Sequence, residues 1–308
     1  MLKHVLIAII IVLNSATQAW ADSQASPAFQ CIAHRGNSIK SGTPENSLSA
    51  FRQAIELKAD GFEFDIHHTV DGVAIVVHDD TLKRTATSKP GKSCRLKANI
   101  SSLSFSEIRE SCALHGGEDI PSLAETIEVL KLANGIAQPG TSGSTEATPS
   151  SEAKPSTEAK ISPSAETNPS TKATLMFAEF KDPPNEATLK LLEQSLKDHS
   201  ELVKFISFTA SWLADLRDHA SPSNFFNQAE RYHLAKTLDE ADFSFEGVDI
   251  DYQNLNKPWI SENETHPNQI ISAWTVDTRK GMKKMISIGV KYITTNRVEE
   301  CLSLKNEY

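Results

Sequence analysis

The sequence predicts an α/β fold closed into a βα barrel, and three observations carry that prediction. Strand-like and helix-like stretches alternate along the 308 residues with short loops between them, the pattern of a parallel sheet with helical crossovers. About eight strands fall within one chain, which favours a closed barrel over an open doubly wound sheet. No glycine-rich dinucleotide fingerprint follows the first strand, which weakens the doubly wound alternative further.

The elements follow in chain order. Residues 30–36 pass from apolar to polar, as a buried strand and its exit loop do. Thr43, Pro44, Glu45 and Asn46 open a helix whose apolar face is Leu48, Phe51, Ala54 and Ile55, at the helical period. Gly61 opens a second strand, in which Phe62, Phe64 and Ile66 alternate with Glu63, Asp65 and His67. Val70, Asp71 and Gly72 form a tight turn, and residues 73–77 make a third strand that ends at His78. Residues 81–118 are polar and irregular, with a short helix over 106–111, and Pro121 and Ser122 lead into an amphipathic helix over 123–132. Further on, strands are predicted over 175–180, 202–208, 232–236, 247–252, 270–276 and 291–295. Helices are predicted over 185–199, 211–219 and 280–288.

Residues 134–172 break the pattern. They are built from Ser, Thr, Pro, Ala, Glu and Lys in near-repeats, with almost nothing apolar to offset ordering entropy, so a disordered surface insertion is expected. A tether of about 40 residues spans on the order of 30–40 Å, and it can equally loop between two neighbouring points. A tolerated loop is favoured over a glycosylated or partner-binding tail. At the amino end, Lys3 and His4 precede an apolar run over 5–13, and Ala19-Trp20-Ala21 fits a small-x-small cleavage site before Asp22. The run is too short for a membrane anchor. Residues 1–21 are therefore expected to be a signal peptide, and residues 22–308 a secreted or periplasmic barrel domain with no stable membrane insertion. Export makes the four cysteines disulfide candidates with three connectivities. Cys94 and Cys112 close a moderate loop and are favoured as a pair, while Cys31 and Cys301 either pair or stay buried and free. Their wide spacing argues against zinc. A formal net charge of -9 excludes a general nucleic-acid binder but leaves room for one phosphate held locally.

In a βα barrel the reactive residues gather at the carboxyl ends of the strands. His34 and Arg35 end the first predicted strand, Asp65 and His67 the second, His78 the third, and Glu179 and Lys181 the strand after the insertion. The period of two puts Glu63 and Asp65 on one face while their apolar neighbours pack outward. Carboxylates facing a barrel interior repel unless a cation lies between them, and Glu179 adds a third oxygen. Three carboxylates without thiols or clustered imidazoles suit a hard ion, Ca²⁺ or Mg²⁺. The competing reading is an ordinary solvated strand face. His34 and His78 end different strands and suit a general acid–base pair, where either alone would read as a bonded loop residue. Arg35 offers planar donors to phosphate. His67 and His68 adjoin the site as pocket lining.

These residues resemble a known family. His34-Arg35-Gly36, Pro44-Glu45-Asn46, Glu63-x-Asp65, Asp71-Gly72 and His78-Asp79 stand in the order and spacing of the glycerophosphodiester phosphodiesterases. Ile120-Pro121-Ser122-Leu123, Glu179-x-Lys181, Ala273-Trp274-Thr275-Val276 and Gly289-Val290-x-Tyr292-Ile293-x-Thr295 extend the likeness over nearly all the chain outside the insertion. The resemblance implies a TIM barrel that hydrolyses a glycerophosphodiester to glycerol 3-phosphate and an alcohol with a divalent metal. It implies His34 and His78 as the acid–base pair and Glu63, Asp65 and Glu179 as metal ligands. Arg35 and Lys181 would hold phosphate oxygens, Glu45 would lie in the metal and substrate shell, and Trp274 would wall the glycerol or head-group pocket. The sequence departs from the family at Thr295-Asn296-Arg297, where an aspartate usually precedes the arginine, and over 242–268. These departures are expected at the pocket rim, where they bear on the substrate. Two rival readings stand beside this one. A phospholipase-D-like relative acting on lysophospholipid or sphingomyelin would need an exposed apolar loop, for which Phe225, Phe226 and Trp259 are candidates. A non-catalytic barrel used as a binding or surface protein would have no need of the five site residues.

Overall fold

The computed structural model describes residues 29–36, 42–136, 172–255 and 269–308. Residues 1–21, expected as a signal peptide, residues 137–171 of the expected insertion, and Trp259 lie outside the described residues.

Strand β1 (Gln30–Ala33) is buried along its last three residues. Helix α1 (Leu48–Glu56) begins later than expected, because Ser47, not Thr43, caps it: Ser47 Oγ accepts the Ala50 N–H at 3.1 Å. Strand β2 (Gly61–His68) is buried on both faces. Phe62, Phe64 and Ile66 pack outward, Phe62 stacking on Phe51 of α1 with ring centroids 4.8 Å apart.

Strand β3 (Ala74–Val76) corrects one expectation. It is not a barrel strand but runs antiparallel to the end of β2, pairing Val76 with Ile66 and Ala74 with His68. The chain overshoots on β2 and returns on β3, so that Val77 N donates to Asp65 O at 3.0 Å and His78 arrives back beside the inner face. Residues 81–118 are also more ordered than their polarity suggests. They hold β4 (Ala86–Ser88), helix α2 (Phe105–Ser111) and β5 (Cys112–Leu114), with β4 antiparallel to β5. This unit has its own small core of Ile75, Val77, Leu82, Ile100, Ile108 and Leu114, cross-linked by the Cys94–Cys112 disulfide. Helix α3 (Leu123–Ala133) opens on a capping box between Ser122 and Glu125.

The remaining elements alternate regularly. They are β6 (Leu175–Phe180), α4 (Glu186–Leu196), β7 (Val203–Ser207), α5 (Ala210–Asp218), the one-turn α6 (Phe225–Gln228), β8 (Glu230–Ala235), β9 (Gly247–Asp251), β10 (Ile270–Trp274), α7 (Arg279–Ser287), β11 (Tyr292–Thr295) and α8 (Val298–Leu304). Eight strands pair in parallel in the order β1-β2-β6-β7-β8-β9-β10-β11, and β11 pairs back onto β1 from Gln30↔Tyr292 to Ala33↔Thr295. The barrel is therefore closed, as the sequence predicts. Its interior is filled by Ile32, Phe177, Ile206, Tyr232, Leu234 and Tyr292. That apolar plug leaves room for a site only above it, at the carboxyl ends of the strands.

Two ties close the chain at the other end. Cys31 of β1 is bonded to Cys301 of α8, so both cysteine pairs form and neither Cys31 nor Cys301 is free. Asp60, 4% exposed, accepts the Cys31 N–H at 2.7 Å and pairs with Lys305 and Lys172. The insertion departs and returns at one point beside the start of β6. Asn134 Nδ2 donates to Thr174 O at 3.0 Å, and Thr174 N donates to Asn134 Oδ1 at 2.9 Å. Loop length costs little once the ends are fixed, about 0.6 kcal/mol per doubling. Replacing residues 137–171 with a short Gly/Ser linker is therefore expected to leave the melting temperature unchanged or a few degrees higher, measured by circular dichroism. A fall of more than about 8 °C would show that the segment supports the barrel.

Candidate active site

The exit from β1 sets the first wall of the site. Arg35 sits in the left-handed region at φ 49°, and Gly36 follows at φ 81°. A Cβ on Gly36 would lie 2.6 Å from Ala50 Cβ, so only glycine fits between this turn and α1. The unusual turn aims the Arg35 N–H at Glu63 Oε2, 2.9 Å away.

The carboxylates predicted as metal ligands converge. Oxygen atoms of Glu63, Asp65 and Glu179 lie within 4.8 Å of one another, and all three residues are buried. Strand register does this directly: Asp65 of β2 pairs with Glu179 of β6. Burial together with the neighbouring Asp65 pushes the Glu179 carboxyl up to about 7, and burial with Asp65 and Glu179 raises Glu63 well above the carboxylate range. Burial would raise Asp65 too, but Lys181 and Arg35 overcome it and hold Asp65 down at about 2. Lys181 Nζ lies 3.1 Å from Asp65 Oδ1 and bonds to Glu179, Arg35 Nε lies 3.5 Å from Asp65 Oδ2, and Asn46 Nδ2 donates to that same oxygen at 2.8 Å. Three converging oxygens that resist ionising together fit a hard divalent cation, whose charge would relieve them.

Both predicted histidines reach the same cavity. It measures about 110 Å³, and His34, His78, Arg35, Glu63, Glu179 and Lys181 are among the residues that line it. Burial, reinforced by Arg35, lowers His34 to about 4, and burial lowers His78 as well, so both rings are neutral at neutral pH. His78 Nδ1 is 2.8 Å from Asp79 Oδ1, and Arg84 clamps Asp79 while also gripping Glu45. Trp274 also lines the cavity, edge-on to Phe208 with centroids 5.5 Å apart. Glu45 does not line the cavity; it bonds Arg35 Nη1 at 2.8 Å and backs that guanidinium. His67 is also set back, 3.0 Å from Asp182 at Nδ1 and 3.2 Å from the His78 carbonyl at Nε2, so it braces the His78 backbone. His68 is bonded to Thr188 and does not line the cavity either.

Some features escape the sequence reading. Asp249 is fully buried and lines the cavity with an Oδ1 that has no hydrogen-bond partner. Burial and Glu179 raise its pKa strongly. The alternation Val248-Asp249-Ile250 would have revealed it as an inward residue. Asn296, expected at the rim, instead lies behind His34, 2.8 Å from its Nδ1. Phe225 and Phe226 are fully buried and offer no exposed apolar loop.

Fold and site together define a barrel hydrolase whose mouth suits a divalent cation and an anionic ester. Comparison with known proteins makes that class specific. The model of the glycerophosphoryl diester phosphodiesterase family matches residues 34–300. A glycerophosphodiester phosphodiesterase of Caldanaerobacter subterraneus is 36% identical over 279 residues, covering 89% of this chain and 96% of that protein. A glycerophosphodiester phosphodiesterase from Parabacteroides distasonis shares the fold, with a TM-score of 0.64 at 22% identity over 92% of this chain and 99% of that one. So does an Oleispira antarctica phosphodiesterase solved with its product sn-glycerol-3-phosphate, with a TM-score of 0.63 at 19% identity over 90% of this chain and 96% of that one. The chain belongs to the glycerophosphoryl diester phosphodiesterase family and is a phosphoric diester hydrolase.

The raised carboxyls give the metal-free protein a signature. Glu179 binds its proton more tightly when folded than at its ordinary value of 4.5, so it costs stability as pH rises from about 4.5 through about 7. The buried neutral His34 works in the opposite direction, stabilising as pH rises through its ordinary value of 6.5, so a single melting curve mixes the two. A comparison of variants separates them. Metal-free Glu179→Gln is expected to gain stability relative to wild type between pH 5 and pH 7.5 in thermal melts. Ca²⁺ or Mg²⁺ at 100 times its dissociation constant is expected to stabilise the wild type by about 2.7 kcal/mol and to stabilise the variant far less. A flat difference across pH, with equal metal response, would remove the shared-cation reading.

Proposed function

We propose that this hydrolase cleaves glycerophosphodiesters to glycerol 3-phosphate and an alcohol by histidine acid–base chemistry beside a divalent cation, Ca²⁺ or Mg²⁺. The observation that carries the proposal is convergence. His34, His78, Arg35, Lys181 and two of the three clustered carboxylates line one cavity of about 110 Å³.

The two cations, Arg35 and Lys181, are suited to hold non-bridging phosphate oxygens, Arg35 through its planar fork and Lys181 as a point charge. Glu45 and Arg84 keep the Arg35 guanidinium in place. Trp274 and Phe208 form an apolar wall for the carbon skeleton of the glycerol or the head group. With the phosphate fixed, one neutral imidazole takes the proton from the attacking hydroxyl, which belongs to water or to the substrate's own glycerol. The other imidazole, after taking a proton from solvent, gives it to the departing alkoxide, and the first releases its own proton to solvent to close the cycle. Glu63, Asp65 and Glu179 would hold the cation, which supplies orientation of the diester and neutralises charge developing on its oxygens. Burial of the three carboxylates strengthens the electrostatic contacts made to them.

The formal net charge of -9 gives no support to nucleic-acid partners. Two disulfides fit an oxidising compartment, and we assign the protein to the secreted or periplasmic space on that basis. The test of function is hydrolysis of glycerophosphocholine, glycerophosphoethanolamine and lysophosphatidylcholine, with and without a chelator. His34→Ala and His78→Ala are each expected to lose about 100-fold or more in kcat, and the chelator is expected to abolish turnover until Ca²⁺ or Mg²⁺ is restored. Activity that survives both the chelator and the substitutions would sink the mechanism.

A further inference from the structure

Just past the end of β11, Asn296 lies at the junction of three groups. Its side-chain oxygen is 2.8 Å from His34 Nδ1. Its side-chain amide donates to Asp277 Oδ2 at 2.7 Å, and its backbone N–H donates to Asp277 Oδ1 at 2.8 Å. Thr295 Oγ1 donates to Asp277 Oδ1 as well, at 3.2 Å. This network has only one consistent set of protons. A carboxylate accepts hydrogen bonds and donates none, so the face of Asn296 turned toward Asp277 must be its NH₂. The oxygen of Asn296 is then the atom facing His34, and an amide oxygen only accepts. His34 Nδ1 must therefore carry the ring proton. In a neutral imidazole the lone pair then falls on Nε2, the nitrogen that lies 3.9 Å from Glu63 Oε2.

We infer that Asn296 and Asp277 form a positioning pair that locks His34 in its Nδ1–H tautomer and presents Nε2 for proton exchange with the substrate. The inference rests on the acid–base reading of His34 and names what makes that residue competent. Neither Asn296 nor Asp277 lines the cavity, and both act through His34. Asp277 is the part of the pair that gives direction. An amide held only by its oxygen contact could rotate by half a turn, offer NH₂ to Nδ1 and select the opposite tautomer, with the proton on Nε2 and the lone pair turned away from the substrate. The carboxylate forbids that rotation, since it would face the amide oxygen with its own.

The pair is testable by spectroscopy and by kinetics on the full-length protein. In metal-free protein with ¹⁵N-labelled histidine at pH 7.5, long-range ¹H–¹⁵N correlations assigned by loss in His34→Gln should show Nδ1 protonated and Nε2 bare. Asn296→Ala should lower kcat by about 10- to 100-fold with KM changed less than about two-fold, and its His34 signals should shift toward a mixture of tautomers. Asp277→Asn should lose a similar factor, because an amide facing an amide no longer fixes the orientation. The reversed pair, Asn296→Asp with Asp277→Asn, rebuilds an acceptor against Nδ1 and a donor behind it, and should recover most of the loss. Thermal melts establish that each variant is folded. A wild-type signal with the proton on Nε2, a kcat for Asn296→Ala within two-fold of wild type, or a reversed pair no better than either single variant would overturn the inference. Should the wild type hydrolyse no diester at all, the acid–base reading fails, and the ¹⁵N signal still decides the tautomer separately.

Discussion

Three carboxylates sunk into the mouth of the barrel set the terms for everything around them. Their oxygens approach within 4.8 Å of each other, and at an effective dielectric of about 20 each ionised pair would repel by roughly 3 kcal/mol or more. The chain answers with Lys181, placed against Asp65 and Glu179, and with Arg35, placed against Asp65. Two positive charges cannot satisfy three buried negative ones. Burial, reinforced by that shortfall of charge, is what makes Glu63 and Glu179 hold their protons, and the shortfall is also the chemical case for a bound divalent ion. The left-handed conformation of Arg35 belongs to the same problem, since it lets the backbone N–H meet Glu63 while the side chain meets Asp65 and Glu45.

Placing these groups together depends on how the barrel is threaded. β2 supplies Glu63 and Asp65, and the hairpin to β3 carries the chain out and back so that His78 returns to the level of Asp65. The third carboxylate and Lys181 lie on β6, which the chain reaches only after the insertion. The reciprocal hydrogen bonds of Asn134 and Thr174 fix where that excursion begins and ends, so β6 can pair with β2 whatever the intervening length. β1 and β11 then close the ring and bring His34 beside Asn296.

Much of this was legible in the sequence because strand parity is a strong signal. The alternation around Glu63 and Asp65 gave the inward face of β2, and the Glu179-x-Lys181 spacing gave that of β6. The eight barrel strands were legible for the same reason, since each carries four or more residues of consistent pattern. Residues 73–77 read as another barrel strand because a strand's residue pattern carries no information about its direction; only the pairing partner reveals that β3 runs antiparallel. The unit around Cys94–Cys112 hid behind its polarity, its core being built from apolar residues scattered one at a time between turns. Glu45 reads as a site residue from its motif, yet its role is to brace Arg35, a relation set by a fold contact 10 residues apart in sequence. Asn296 and Asp277 could not be linked to His34 from sequence at all. His34 and Asn296 are separated by 262 residues, and nothing local marks them as partners.

The two histidines show how the same end is reached from opposite local charges. His78 is backed by a carboxylate, Asp79, which alone would favour an imidazolium, but Arg84 grips that carboxylate and cancels much of its effect. His34 is backed by a neutral amide, with the carboxylate of Asp277 held one residue further away. In both cases a full negative charge orients the ring without standing unopposed beside it. A carboxylate standing unopposed at either Nδ1 would raise the pKa of that ring and enlarge its protonated fraction at neutral pH, which lacks the lone pair that a base needs. Orientation from a carboxylate and neutrality of the ring are conflicting demands. The site meets them with a counter-ion behind His78 and with distance behind His34.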